Sequence, residues 1–327
     1  MIIIPEEDIM KHYKMNDAIR DMRAGLTAKN KGLIENPSRI VIEVPERHAS
    51  SLNMPSADLS NEMFAMKVVT IFPENPKIGK PTTQAVLLLS DAKTGEHVSM
   101  MGASYLTRLR TGALSGVATD KLARSNASVL GVIGTGGMAF EQVLGVLEVR
   151  PIESIVLFNR TEAKAHDFKQ KLIDFGVQQE ITVVDHVKKV VEAAHVINCA
   201  TRSQVPVFDG NDLKPGTHIN GVGSYLPTMR EVDLTTIERA GKIVVDDLSA
   251  VKEEAGELIH AAKVSDWTFA DVYGELRDIH EAEGIVRAND EEITFFKCVG
   301  TAYFDLIVAI GTFKQAQSLN LGQKVKL

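Results

Sequence analysis

Val129 to Ala139 reads VLGVIGTGGMA: an apolar run enters a cluster of glycines and leaves on a small residue. The apolar part, "SVLGVIG", predicts a buried strand, and "MAFEQVLGVLEV" after the glycines predicts a helix. A second apolar strand, "SIVLFNR", follows. In the pattern Gly134-x-Gly136-x-x-Ala139, Gly134 permits a tight turn and Gly136 lets the backbone approach a pyrophosphate. Ala139 lets helix and strand pack closely. The helix N-terminus offers amide donors and positive dipole to the phosphates. With Gly137 and Met138 completing the turn, these five positions are the candidate cofactor contacts.

The second strand ends at Phe158-Asn159-Arg160-Thr161. An acid about 20 residues beyond the glycines holds the ribose hydroxyls of NAD in such folds. Asn159 has no charge to repel a 2′-phosphate, while Arg160 and Thr161 can donate to one and Lys164 is a turn away. NADP(H) is the preferred cofactor on this reading, with NAD(H) possible. Further apolar strands, "EITVVD", "HVINCAT", "THINGVG" and "KIVVDD", alternate with helical stretches. That rhythm indicates a parallel sheet covered on both faces. The expected fold class is α/β, a Rossmann-type doubly wound sheet over 119–303. It is inserted into a mixed α+β domain made of 1–118 and 304–327.

The first hundred residues lack that rhythm. "MNDAIRDMRAGLTAKNKG" predicts a helix ending near Gly32, while "RIVIEV" and "MFAMKVVTIF" predict strands. "QAVLLLSDAKTGEHVSMM" predicts a hairpin turning near Thr94-Gly95, and "YLTRLRTGALSGVATDKLA" a long helix interrupted by glycine. Three cations here are suggestive. Arg39 opens a strand, Lys67 sits inside an apolar one, and Arg110 lies in the glycine-bearing helix. A buried ammonium is costly unless paired, and Glu62 or Asp58 could serve Lys67 as partner.

The 327 residues are 44% hydrophobic with a net charge of -7, which is globular composition without a basic tract for nucleic acid. "MIIIPEEDIM" lacks the basic n-region and long apolar core of a secretory signal, and no run approaches the roughly 18 residues of a membrane span. Cys199 and Cys298 read as buried thiols in a reducing compartment, so a cytoplasmic location is expected. His48, His97, His186 and His260 form no spaced ligand set, so no metal is expected. Ser115 lacks the context of a nucleophile elbow. "EEAGEL", with Glu253, Glu254 and Glu257, reads as a solvated helix start.

Taken together the chain resembles the ornithine cyclodeaminase/μ-crystallin family. The resemblance runs through "NPSR", "MKVVTIFPENP", "LRTGALSG", "GVIGTGGMA", "NGVGSYLPTMREVD", "DDLSAVKEEAGEL" and "KCVGTAYFDL". It implies that Arg39, Lys67 and Arg110 grip the α-carboxylate of an amino or imino acid, where bidentate pairing fixes charge and orientation. It further implies that Thr82, Thr111, Thr201 and Gly223 lie at the cofactor and that Val299 closes over the substrate. A homodimer formed through the first domain is also implied.

Two departures narrow the activity. Cyclising members carry an aspartate where this chain has Tyr225, and an acid just before the position of Met54-Pro55, where "HASSLN" has none. Ornithine's distal ammonium would then lack a carboxylate partner. The expected activity is NADPH-dependent reduction of an imino or 2-oxo acid to an L-amino acid. Pyrroline-2-carboxylate, or pyruvate plus an amine, is the expected substrate, with Lys67 as proton source and Tyr225 as a second catalytic candidate. The alternatives are conversion of ornithine to proline plus ammonia, and a non-catalytic NADP-binding ligand carrier.

Overall fold

The computed structural model describes residues 1–326, which divide into two compact units. One is Thr111–Gly300; the other joins Met1–Arg110 to the segment from Thr301 onward. The divisions fall at 110/111 and 300/301, against 118/119 and 303/304 in the sequence reading.

In the Thr111–Gly300 unit, eight strands form one sheet with every neighbouring pair parallel. Their spatial order is Glu180–Val183, Ser154–Phe158, Val129–Ile133, Val196–Cys199, His218–Gly221, Ile293–Lys297, Ala240–Val245, Gly274–Glu275. Val129–Ile133, the first of them in the chain, is central. The next two strands extend to one side of it, and Val196–Cys199 joins the other. The order therefore reverses between these two strands, and the carboxyl ends of strands at such a reversal are where doubly wound sheets take ligands. The strands are runs of valine and isoleucine because both faces are covered. Phe140, Val143, Phe168 and Leu172 pack in one layer, and Val190, Ile237, Val251 and Leu258 in the other.

One expectation is corrected here. The helix Ser104–Leu122 is continuous, not interrupted at its glycines. A Cβ on Gly145, in the helix Ala139–Leu147, would lie 2.0 Å from the Gly112 carbonyl oxygen. Glycine at these positions lets two helix backbones touch, which costs each helix about 1 kcal/mol in propensity without breaking it.

The other unit holds a second eight-stranded sheet. Its order is Gln323–Lys324, Ile2–Ile4, His97–Gly102, Thr83–Asp91, Met63–Ile71, Ala49–Asp58, Ile34–Glu35, with Ile40–Val44 also pairing on Ala49–Asp58. All these pairs are antiparallel except Ile2–Ile4 with His97–Gly102. Helices Met15–Asn30 and Ala302–Leu319 pack on each other, and the latter lies on the three long strands. Gly25 permits their close approach, since a Cβ there would collide with Ile307. Ala49–Asp58 is a strand despite its serines, asparagine and Pro55. On one side Pro55 falls in the gap between the Ile40–Val44 and Ile34–Glu35 pairings, where it breaks no ladder.

Alternation along Met63–Ile71 turns Ala65, Lys67 and Val69 inward. Phe64 and Met66 point outward together with Val86 and Met100 of neighbouring strands. The face on which they lie thus exposes large apolar side chains where outward polar alternation is usual.

Candidate active site

Lys67 is held at the middle of its strand, opposite Met54 and Leu87. Its partner is neither Glu62 nor Asp58. Glu62 forms a surface ion pair with Lys93, and Asp58 accepts hydrogen bonds from Ser60 and Asn61. Lys67 Nζ instead donates to Asp305 Oδ1 at 2.7 Å. Arg110 Nε lies 3.4 Å from the same oxygen, and Thr107 Oγ1 donates to it at 3.4 Å. Asp305 stands in the first turn of Ala302–Leu319, where the helix dipole favours a carboxylate.

All three ionisable groups are buried, with side-chain exposures of 3% for Lys67, 1% for Asp305 and 7% for Arg110. Burial brings the Lys67 ammonium down to about 8, against the attraction of Asp305 and with help from the Arg110 and Arg39 charges. Burial also pushes Asp305 upward, but Lys67 and Arg110 outweigh it and hold the carboxyl below its ordinary value. Arg39 is half-buried. The charges of Lys67, Arg110 and Arg39 all act on Asp305, so this is a buried region rich in cations. An incoming carboxylate complements it, and a second ammonium would not.

The Thr111–Gly300 unit supplies the glycine turn at the end of Val129–Ile133. Gly134 has φ of +88°, and its N–H donates to the Phe158 carbonyl at 2.9 Å. A Cβ at this position would strike Thr201 and Ala200. Around the Cβ positions of Gly136 and Gly137 there is open space, so a pyrophosphate can approach the backbone there. Met138 occupies the position before the helix that opens at Ala139, with no side-chain hydrogen bond to its first turn. Asn159 ties the turn to the second strand, accepting from Thr135 N and donating to the Thr161 carbonyl. Arg160 and Thr161 are exposed beside it. The donor set fits a dinucleotide.

The remaining sequence-derived residues lie as follows. Thr201 and Gly223 occupy turns after two adjacent strands, Val196–Cys199 and His218–Gly221. Tyr225 is half-buried with the Arg202 guanidinium over its ring. The Val299 and Gly300 amides donate to the buried carboxylate of Asp246. Thr111 is buried, and Thr82 is half-buried with its carbonyl accepting from Phe72 N.

Glu257 corrects the reading of "EEAGEL" as solvated. It is 1% exposed and accepts from Ser224 Oγ and Lys297 Nζ. The sequence reading also missed Asp305, Lys297, Glu231 and Asp246. Lys297, in "ITFFKCVG", carries the signal that singled out Lys67: a lone cation in an apolar strand. Asp305, in "AYFDLIVAIG", is its acidic counterpart in an apolar helix.

A unit of doubly wound sheet with an open glycine turn, and a unit with a buried cation cluster, define a dinucleotide-binding protein built to hold a small acid. The chain belongs to the ornithine cyclodeaminase/mu-crystallin family, whose sequence profile matches residues 2–319. It is 38% identical over 327 residues, all of both chains, to a Delta(1)-pyrroline-2-carboxylate reductase of Bacillus cereus. The Thermococcus litoralis Delta(1)-pyrroline-2-carboxylate reductase, solved with NADH and L-proline, superposes with a TM-score of 0.95 at 34% identity, covering 99% of this chain and 100% of that one. An archaeal alanine dehydrogenase dimer with bound NAD gives 0.92 at 30% identity, covering 100% and 99%.

Proposed function

We propose that this protein reduces an imino acid, or a 2-oxo acid together with an amine, to an L-amino acid with NAD(P)H, and that Δ1-pyrroline-2-carboxylate is its best substrate. The observation that carries this reading is the buried ionic cluster of Lys67, Arg110 and Asp305, with the charge of the half-buried Arg39 acting on it. Identity to reductases of that substrate supports it.

Arg39 and Arg110 hold the substrate carboxylate, with Lys67 completing the grip. A bound NAD(P)H supplies the hydride that converts the C=N carbon to an amine-bearing one. Reduction of a neutral imine also needs a proton at nitrogen. Lys67, brought down to about 8, is still protonated at neutral pH yet gives its proton readily. Asp305 keeps the Lys67 ammonium in place between turnovers. Tyr225 is the second donor candidate. Thr82, Thr111, Thr201, Gly223 and the glycine turn hold the dinucleotide, and Val299 borders the substrate. NADPH is preferred over NADH because Arg160 and Thr161 stand exposed beside an uncharged Asn159.

The working form is a homodimer made through the apolar face of the sheet that contains Met63–Ile71, an assembly the dimeric alanine dehydrogenase neighbour supports. Cys199 and Cys298 are buried thiols outside any disulfide, which supports a reducing, cytoplasmic location. No described helix is long and apolar enough to cross a membrane.

The test follows NADPH absorbance with pyrroline-2-carboxylate, piperideine-2-carboxylate, and pyruvate plus ammonia, with L-ornithine scored in parallel for released ammonia. Cofactor consumption without ornithine turnover is the expected result. Ammonia release from ornithine with no net cofactor change overturns the reading.

A further inference from the structure

Beneath the cofactor turns of the Thr111–Gly300 unit lies a buried ionic network that the proposed chemistry does not use. Glu231, in the segment between His218–Gly221 and the helix Leu234–Arg239, is fully buried. Its Oε1 accepts from Thr201 N at 2.6 Å and Thr201 Oγ1 at 2.9 Å. Its Oε2 accepts from Gly223 N at 2.7 Å and Ser224 N at 3.3 Å. One carboxylate thus holds the turns that follow two adjacent strands. They meet at backbone contact, since a Cβ on Gly223 would lie 2.0 Å from the Thr201 carbonyl oxygen and 2.6 Å from Glu231 Oε1.

Behind Glu231, Lys297 Nζ donates to the Ser224 carbonyl at 2.7 Å and pairs with Glu257 Oε1 at 3.0 Å, while Ser224 Oγ donates to Glu257. Two acids share one ammonium. A fully desolvated excess carboxylate is costly, and here four donors to Glu231 offset the cost. An ionic arrangement this expensive at a strand-end crevice needs more explanation than packing, because an apolar substitute of similar volume is often neutral or stabilising.

We propose that Glu231 is a positioning residue for the dinucleotide, its carboxylate clamping Thr201 to Gly223–Ser224 so that both turns are preset for the cofactor. This rests on the dinucleotide reading above and deepens it. The clamp responds to pH. Burial pushes the Glu231 carboxyl up to about 7, with Lys297 opposing and Glu257 reinforcing. The titratable groups around it are Lys297 from Ile293–Lys297, Glu257 from Gly256–Val264 and Cys199 from Val196–Cys199. A protonated Glu231 presents an O–H to turns that themselves offer N–H and O–H donors, so the clamp loosens as pH falls below neutral.

The experiment is a fluorescence titration of NADPH and NADH on the full-length protein, without substrate, from pH 5.5 to 8.5, for wild type, Glu231→Gln and Glu231→Asp. Expected for Glu231→Gln is at least tenfold weaker binding at pH 8 with the pH dependence flattened, and a KM for the imino acid within about twofold of wild type. Wild-type affinity falls as pH drops through about 7, and Glu231→Asp recovers part of the loss. Hydrogen exchange quickens at 201–203 and 223–225 in Glu231→Gln, but not at 299–300, which Asp246 holds. Unchanged cofactor affinity in Glu231→Gln overturns the proposal, as does a rise in imino-acid KM alone. If Glu231→Gln does not fold, Glu231→Asp carries the same comparison; failure of both to fold makes Glu231 a core residue and also overturns it. Wild-type protein that binds NADPH but reduces no imino acid refutes the proposed substrate and leaves the clamp standing. Wild type that binds neither dinucleotide refutes both.

Discussion

Lys67, Arg110 and Asp305 form a charge triangle whose members cannot be altered independently. Lys67→Met removes the proposed proton donor and one cation, and kcat/KM is expected to fall by about 10²–10⁴, the usual weight of general acid catalysis. Arg110→Lys keeps charge but loses the planar fork, so KM for the imino acid rises by about tenfold or more with a smaller change in kcat. The pH profile follows from the sign of the Lys67 shift. The donor must be protonated, so kcat/KM is flat at neutral pH and falls as pH rises through about 8. Asp305 draws the Lys67 value upward, so Asp305→Asn moves this alkaline limb to lower pH. A limb that stays in place in Asp305→Asn denies Lys67 the role of donor.

At the scale of elements, the contact between helices Ser104–Leu122 and Ala139–Leu147 is made of backbone. Gly145→Ala forces a methyl against the Gly112 carbonyl and destabilises by about 1–3 kcal/mol, as overpacking does, despite alanine's better helix propensity. Thermal denaturation monitored by circular dichroism checks this, and an unchanged or raised Tm would show that the helices can separate freely. Strand ends matter in the same way. His218, buried in its strand, bonds to Thr294 and Asn220, and burial brings it down to about 3. The unfolded chain takes up that proton first, so stability is complete above about 6.5 and declines as pH falls from there toward 3. In His218→Phe that component of the pH dependence disappears, which urea denaturation at pH 7 and pH 4.5 reads directly.

At the scale of the whole molecule, one face of the mainly antiparallel sheet exposes large apolar side chains. The strand face bearing Phe64, Met66 and Val86 is apolar and exposed, the opposite of the usual outward polar alternation. A Phe64→Glu, Met66→Asp double variant is expected to sediment as a monomer where wild type sediments as a dimer. A wild-type monomer at micromolar concentration would reject the assembly. Cofactor preference also belongs to this scale. Arg160→Ala should lower kcat/KM with NADPH by about tenfold, the weight of one charge-assisted contact, and leave NADH nearly unchanged.

Much of this was legible along the chain, because local rules govern it. The apolar strand, three glycines and small residue of Val129–Ala139 require a strand, a tight turn and a close-packed helix, and the structure has each. Alternating strands and helices forced a parallel sheet, and a lysine in an apolar strand announced a buried charge. What stayed hidden were the partners. Asp305 is 238 positions from Lys67, and Lys297 is 73 from Ser224, so no local spacing could connect them. Glu257 looked solvated among its acidic neighbours, and the strand Ala49–Asp58 received no assignment from its sequence. Hydrophobic pattern is a property of neighbours in sequence. The pairing of buried charges is decided by which distant elements the fold brings within hydrogen-bond reach, and only the tertiary structure determined that.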